Sequence, residues 1–175
     1  MGLLIISASL NPGSKSRLLA QAALSALQTD NIEVEFLDLR DSPLPLCDGG
    51  AAYGDPNVAL VSAKISAADG VIIASPIYNY DVNAVLKNLI ELTGKAAWEN
   101  KTVAFLNAAG GASSYMSIMA LANSLMLDFR CVIVPRFVYA VPGDFAAGAI
   151  GNPQIVERIA ACAHATAELV RQRSS

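Results

Sequence analysis

Histidine and cysteine are scarce in this chain of 175 residues, with one and three copies respectively. His164 lies in a helical pattern near the C-terminus, where we expect a surface or packing role. Cys47, Cys131 and Cys162 are scattered, odd in number and without the spacing of metal ligands, so we expect free or buried thiols. The sequence therefore predicts neither a metal site nor histidine-based nucleophilic catalysis.

Charge is also sparse, since charged residues make up 15% of the chain, apolar residues 54%, and the net charge is -3. This balance does not indicate a basic surface that would bind nucleic acid. No apolar run is long enough to span a membrane, and the opening run is too short for a signal peptide and has no basic flank. We therefore expect a cytoplasmic protein without a membrane partner. A surface so poor in charge also suggests that part of it is covered in a subunit contact.

The beginning of the chain predicts a strand, a turn and the start of a helix. Residues 3–6 form an apolar run without alternation, which is typical of a strand buried on both faces. Pro12 and Gly13 turn the chain, and Ser14 or Ser16 can cap the helix that follows. Such a helix start presents free amides and a positive dipole end, which bind phosphate, although serine is also the common capping residue of an ordinary turn. The Walker and dinucleotide glycine patterns are absent.

Strand and helix patterns alternate along the rest of the chain without a composition break, so we predict one domain over residues 1–175. We predict an α/β fold with a doubly wound, five-stranded parallel sheet in the flavodoxin-like order 2-1-3-4-5. The predicted strands cover residues 3–6, 32–39, 70–74, 102–106 and 130–134. We expect one helix that contains Val82 and ends at Gly94, and another that contains Met116. A long connection should start at Pro135. The loop at 40–57 borders either a ligand site or a subunit contact.

Three unusual turns follow the first, third and fourth predicted strands, over residues 7–14, 75–81 and 107–114. The carboxyl ends of parallel strands share one edge of the sheet, and ligands bind there where the strand order reverses. The second turn offers a proline-fixed bend, two tyrosines and an amide, and the third offers two glycines that allow close backbone approach to a flat ligand. Ordinary packing could explain any one turn. The three together favour a phosphorylated planar cofactor, and flavin mononucleotide (FMN) fits.

The residues of these turns resemble the NADPH-dependent FMN reductase family. The resemblance lies in segments 9–16, 75–80 with 85–88, and 109–111, and Pro-x-Tyr-Asn followed by Leu-Lys-Asn is its most specific part. It implies a flavodoxin-like fold, bound FMN, and NADPH or NADH as co-substrate. It also implies onward electron transfer to free flavin, quinones, azo compounds, metal ions or oxygen. Members of this family form homodimers or homotetramers through the helix that corresponds to residues 82–92.

The resemblance also implies a set of binding residues. Those for the phosphate are Ser9, Asn11, Ser14, Ser16 and Arg17. Those for the ring are Pro76, Ile77, Tyr78, Asn79 and Tyr80, with Ala109, Gly110, Gly111 and Ser113 at its pyrimidine side. Asn11 stands where the family often has Arg, and Ile77 stands where Glu is common. The residues themselves leave either Lys15 or Arg17 as the cation of the first turn. No catalytic residue and no metal ligand is predicted, because the flavin N5 carries the hydride chemistry.

We therefore predict an FMN-dependent NAD(P)H oxidoreductase that reduces small molecules by ping-pong hydride transfer. Two other functions stay open. A non-enzymatic electron carrier of the flavodoxin kind usually has a Thr-rich phosphate loop and a strongly acidic surface, whereas this chain has Ser-Leu-Asn-Pro-Gly-Ser at 9–14. A flavin-sensing protein without turnover is compatible with Asn11 and Ile77. Reduction of bound FMN by NADPH or NADH separates the enzyme from both.

Overall fold

A computed structural model describes residues 2–174 of the chain. Its strands are β1 (Leu3–Ser7), β2 (Val34–Asp38), β3 (Gly70–Tyr78), β4 (Asp81–Val82), β5 (Thr102–Ala108), β6 (Val132–Ala140), β7 (Phe145–Ala146) and β8 (Ala149–Ile150). Its helices are α1 (Lys15–Thr29), α2 (Pro56–Ala67), α3 (Ala84–Trp98), α4 (Met119–Phe129) and α5 (Pro153–Ser174). Single 3-10 turns lie at Ala51–Gly54, Ala112–Ser114 and Pro142–Asp144.

The main sheet has the order β2-β1-β3-β5-β6, and its neighbouring strands are parallel. This confirms the predicted order 2-1-3-4-5, because β5 and β6 are the fourth and fifth of the parallel strands. The structure adds two features that the sequence did not predict. The two-residue strand β4 pairs antiparallel with the end of β3, and β7 and β8 form a separate small hairpin.

Both faces of the sheet are covered by helices, which explains why its central strands are apolar without alternation. On one face, Ile6, Ile73 and Phe105 pack with residues of α2, α3 and α4. On the other face, Ile5 and Ile72 pack with residues of α1 and α5. Successive residues of β1 therefore enter different cores, and no position of the strand is left for a solvated side chain.

β3 continues beyond its predicted end at residue 74, through Pro76 to Tyr78. β1 pairs with β3 only as far as Ala74, so the missing N–H of Pro76 faces no β1 partner. The predicted turn at 75–81 is therefore partly wrong. Its first half is strand, and the chain reverses only at Asn79 and Tyr80, between β3 and β4.

β6 also extends beyond its predicted end at residue 134. Val103 of β5 is paired with Ile133, and Phe105 is paired with Phe137, so β6 bulges between these pairs. Pro135 lies inside the bulge, where the ladder requires no N–H donor. The strand can therefore continue to the carboxyl edge of the sheet, where the sequence predicted a loop.

Three predicted helix boundaries are wrong as well. α3 begins at Ala84, because Val82 is taken by the short pairing of β4 with β3. It also does not stop at Gly94, which adopts φ 59° and ψ -169° and kinks the helix before it continues. α4 begins at Met119, since the chain before it, including Met116, forms turns after the 3-10 segment.

Hydrogen bonds from amide side chains hold the long loop before α2 in place. Asn88 of α3 accepts a hydrogen bond from the Cys47 amide at 2.8 Å and donates one to the Pro45 carbonyl at 2.9 Å. Asn57 of α2 donates to the Pro43 carbonyl at 3.0 Å. These three bonds fix the loop against α2 and α3.

Candidate functional site

A cleft of about 740 Å³ lies at the carboxyl edge of the sheet, among the residues that end or follow β1, β3 and β5. All but two of the predicted binding residues line it. They are Ser9, Asn11, Ser14, Ser16, Pro76, Ile77, Tyr78, Asn79, Tyr80, Ala109, Gly110 and Gly111. Five residues outside the predicted set line it too: Gly13, Lys15, Ala108, Ser114 and Pro142. Arg17 and Ser113 are not among the lining residues.

The first turn presents backbone donors to the cleft. Ser14 caps α1, because its side chain accepts the Arg17 amide, and the hydroxyl groups of Ser14 and Ser16 are 2.9 Å apart. The first amides of a helix have no acceptor within the helix. Among the hydrogen bonds of residues 2–174, none uses the amide of Lys15 or Ser16 as donor. These amides and the dipole of α1 could hold an anionic group at the first turn.

The two cations of the first turn face different surroundings. Lys15 is exposed on the cleft wall, and its ammonium lies 5.3 Å from the centroid of the Phe145 ring. The guanidinium of Arg17 is buried behind the turn and bonded to Asp38, with the Nε–Oδ2 distance at 2.5 Å. Of the two candidates that the sequence left open, Lys15 is the one on the cleft.

The second turn is a two-residue hairpin with backbone strain. Asn79 and Tyr80 have φ angles of 51° and 63°, as a type I′ turn requires, but this region suits Asn far better than Tyr. Tyr78 and Tyr80 are 55% and 64% exposed as whole residues, so packing does not account for either. Strain of this kind persists where the surrounding structure fixes it, and it concentrates at ligand sites.

Asn83 fixes this turn to the first one, a link that sequence reasoning missed. It is buried, donates to the Ala8 carbonyl at 2.6 Å, and accepts from the Ser75 hydroxyl at 3.2 Å. Its place directly before α3 was a signal for a capping asparagine. The structure instead uses the side chain to join the ends of β1 and β3.

The third turn exposes glycine backbone to the cleft. A Cβ atom added at Gly110 or Gly111 would meet nothing within 4 Å, so neither glycine is required by packing among the described residues. Tyr139 holds the turn from behind, since its hydroxyl donates to the Gly111 carbonyl at 2.5 Å and lies 2.6 Å from the Ser114 hydroxyl. Sequence reasoning missed Tyr139 because it ended the last strand before Pro135.

The cleft is rich in donors and contains no carboxylate or imidazole among its lining residues. Within residues 2–174, no cluster of three or more His, Cys, Asp or Glu side chains could hold a metal ion. No helix of that part of the chain is long and apolar enough to cross a membrane. The donor set, one exposed lysine and an open glycine wall fit a planar ligand that carries an anionic group.

Comparison with characterised proteins agrees with this geometry. An NAD(P)H-dependent FAD/FMN reductase of Geobacillus thermodenitrificans is 28% identical over 165 residues, which cover 91% of this chain and 88% of the relative. An NAD(P)H:quinone oxidoreductase of Solanum tuberosum is 31% identical over 137 residues, covering 74% of this chain and 70% of the relative.

Solved structures show the same fold. The flavoenzyme FerB, an NAD(P)H:(acceptor) oxidoreductase from Paracoccus denitrificans, superposes with a TM-score of 0.78 at 19% identity and covers 98% of this chain and 97% of its own. An archaeal flavodoxin superposes with a TM-score of 0.65 at 13% identity, covering 98% and 99%. The fold is therefore flavodoxin-like, as predicted. The family profile of NADPH-dependent FMN reductases matches residues 1–146, and the chain belongs to that family of FMN- and NAD(P)H-dependent oxidoreductases.

Proposed function

We propose that the cleft binds FMN, with the phosphate in the first turn and the ring between the second and third turns, and that the protein reduces small planar acceptors at the expense of NAD(P)H. The bound flavin supplies the hydride chemistry, accepting from the nicotinamide and donating to the acceptor. The protein residues bind and orient it. One observation carries this proposal. Unused amides of a helix start and an unobstructed glycine wall border the same cleft.

The first turn would hold the phosphate through backbone and hydroxyl donors. The amides of Lys15 and Ser16 have no acceptor among residues 2–174, and Ser14 and Ser16 add hydroxyl groups. The Lys15 ammonium supplies positive charge from the exposed side. Asn11 shapes the loop, because its Oδ1 accepts the Gly13 amide at 2.9 Å. This set matches an anion at a helix N-terminus without requiring Arg17 to reach it.

The second and third turns would hold the ring. Gly110 and Gly111 leave room for a flat ligand against the backbone, and their amides donate to no acceptor among residues 2–174. Amide donors beside the polar edge of the ring favour negative charge there, which supports reduction. Tyr78 and Tyr80 are exposed and also line the cleft, where they offer aromatic side chains to the ring. Ser113, which the resemblance assigns to the ring, does not line the cleft, whereas its neighbour Ser114 does.

The relatives support small-molecule acceptors. Beside the quinone oxidoreductase of Solanum tuberosum, a NADPH azoreductase of Bacillus sp. OY1-2 is 27% identical over 110 residues, covering 62% of each chain. Quinones and azo compounds share a planar conjugated system that accepts electrons, which suits an acceptor that stacks on a flat cofactor ring. We propose the same class of acceptor here, with the donor and the acceptor using one site in turn.

The proposal is tested by loading the protein with FMN and mixing it with NADPH or NADH under anaerobic conditions in a stopped-flow instrument. We expect either nucleotide to bleach the flavin absorbance, and a quinone added next to restore it. FMN that stays oxidised with both nucleotides would favour the electron carrier, which the family assignment does not favour. Protein that does not retain FMN at saturating cofactor would contradict the binding site itself. The homodimer or homotetramer expected from the resemblance and the cytoplasmic location stay predictions.

A further inference from the structure

The side chain of Arg17 makes contacts behind the first turn that phosphate binding does not explain. Its side chain is 9% exposed, and every nitrogen of the guanidinium has a protein acceptor. The acceptors include three carbonyl oxygens of the loop, those of Ser9 at 2.9 Å, Asn11 at 2.9 Å and Pro12 at 3.3 Å. A guanidinium has five N–H donors in a rigid fork, and all five have acceptors in this network.

Asp38 holds that fork in place from the neighbouring strand. It is the last residue of β2 and is paired in register with Ser7, so its carboxylate lies beside the start of the first turn. Both of its oxygens accept from Arg17, at 2.5 Å from Nε and 3.2 Å from Nη2, and Oδ1 also accepts the Arg40 amide at 3.0 Å. The Asp38 side chain is only 8% exposed.

We propose that Asp38 is a positioning residue for FMN binding, which acts through Arg17 on the backbone of the phosphate loop. By bonding three loop carbonyls, Arg17 holds the loop in the conformation that leaves the unbonded amides of Lys15 and Ser16 at the cleft. Asp38 fixes the orientation of the guanidinium and balances its charge. The inference rests on the proposed FMN site, and it adds a residue of β2 that does not line the cleft.

The sign of the effect on affinity distinguishes this role from simple electrostatics. A carboxylate near a phosphate group repels it, so neutralising Asp38 should tighten FMN binding if charge alone matters. If Asp38 positions the loop, the same substitution weakens FMN binding. Riboflavin, which has the ring without the phosphate, should bind equally well in either case, because the other two turns hold the ring.

The experiment compares Asp38→Asn with Asp41→Asn, a charge-matched control. The carboxylate of Asp41 is 68% exposed and contacts only Arg40 in the ion pairs described. We expect Asp38→Asn to weaken FMN binding about tenfold, comparable to losing a partner behind a metal ligand, and to leave riboflavin binding unchanged. Amide hydrogen exchange over residues 9–16 should rise in this variant alone. Asp41→Asn should leave the FMN affinity within about twofold of wild type or slightly tighter.

A second variant keeps the test decisive if Asp38→Asn folds poorly. Arg17→Lys retains the charge but loses the five-donor fork, so it should weaken FMN binding as Asp38→Asn does. The inference is overturned if Asp38→Asn binds FMN as tightly as wild type or more tightly, or if Arg17→Lys retains full affinity. An equal loss of FMN and riboflavin would also overturn it, since it would indicate a general loss of structure. Wild-type protein that binds no FMN would instead contradict the proposed function.

Discussion

The glycine wall of the cleft gives the sharpest test of the ligand site, through the substitution Gly111→Ala. Gly111 has φ -172°, an extended conformation that alanine adopts without strain, and a Cβ atom added there meets nothing within 4 Å. The free energy of unfolding of the ligand-free protein should therefore change by no more than about 0.5 kcal/mol.

The effect on FMN binding should be much larger than the effect on stability. If the ring lies against this backbone, the added methyl group occupies its place. Inserting a methyl group into a packed contact costs about 1–3 kcal/mol, which corresponds to a ~5- to ~140-fold loss of affinity. Gly110→Ala should likewise weaken FMN binding more than it changes stability, because the Cβ position of Gly110 is equally open.

Gly70→Ala is the opposite case and serves as the control. A Cβ atom at Gly70 would lie 2.7 Å from Cγ2 of Val170 and 2.8 Å from Cδ2 of Leu3, in the core at the far end of β3. Overpacking of this kind costs about 1–3 kcal/mol, so the melting temperature should fall by about 2–4 °C for each kcal/mol. The FMN affinity of the folded fraction should be unchanged.

The assays are thermal melts without FMN and titrations that follow the quenching of flavin fluorescence. Gly111→Ala should separate from wild type only in the titration, and Gly70→Ala only in the melt. The reasoning is refuted if Gly111→Ala and Gly110→Ala both bind FMN with wild-type affinity while remaining folded. A large loss of stability in Gly111→Ala would contradict the open space described at its Cβ.

Three further predictions concern charge, thiols and acid. Lys15→Met should weaken FMN binding by about 1 kcal/mol, or ~5-fold, without affecting riboflavin, and isothermal titration with both ligands checks this. Burial raises the pKa of Cys131 to about 11 and that of Cys162 to about 12, so iodoacetamide at about pH 8 should modify only the partly exposed Cys47, as counted by mass spectrometry. Burial raises the pKa of Asp38, but the hydrogen bonds from Arg17 and the Arg40 amide, with both arginine charges, outweigh it and keep the pKa below 3.8. The unfolded chain therefore binds more protons than the folded one as pH falls below about 4, and denaturant midpoints should decline with acid more steeply in wild type than in Asp38→Asn.

The sequence predicted which turns meet at one edge of the sheet better than it predicted the ends of the elements that form them. Apolar runs without alternation identified the central strands, and the parallel order then placed three separate turns at one edge. The errors in the strand ends occur at proline. Pro76 and Pro135 were interpreted as ends of strands, but each lies where the sheet requires no N–H donor, at the end of the β1 pairing and in the bulge of β6. A local rule about proline cannot reveal which neighbour is missing, since that depends on the lengths of other strands.

Local sequence patterns also did not predict the residues that hold the turns from outside the cleft. Asn83 and Tyr139 act through partners far away in sequence, at the Ala8 and Gly111 carbonyls. The family resemblance assigned Arg17 to the phosphate, whereas the residues themselves left either Lys15 or Arg17 as the cation. The structure instead directs this side chain away from the cleft, toward Asp38, whose position depends on the register of β2 with β1. Only the folded sheet brings those two residues together.

Side chains from outside the turns take up carbonyl oxygens in two of them: Arg17 and Asn83 in the first turn, and Tyr139 in the third. Each carbonyl bonded in this way is an acceptor removed from the cleft, while the amides of Lys15, Ser16, Gly110 and Gly111 donate to no acceptor among residues 2–174. A cleft whose acceptors are used elsewhere has a positive potential without many positive side chains. This accounts for the proposed anion site in a chain with a net charge of -3, where one exposed lysine supplements the backbone donors.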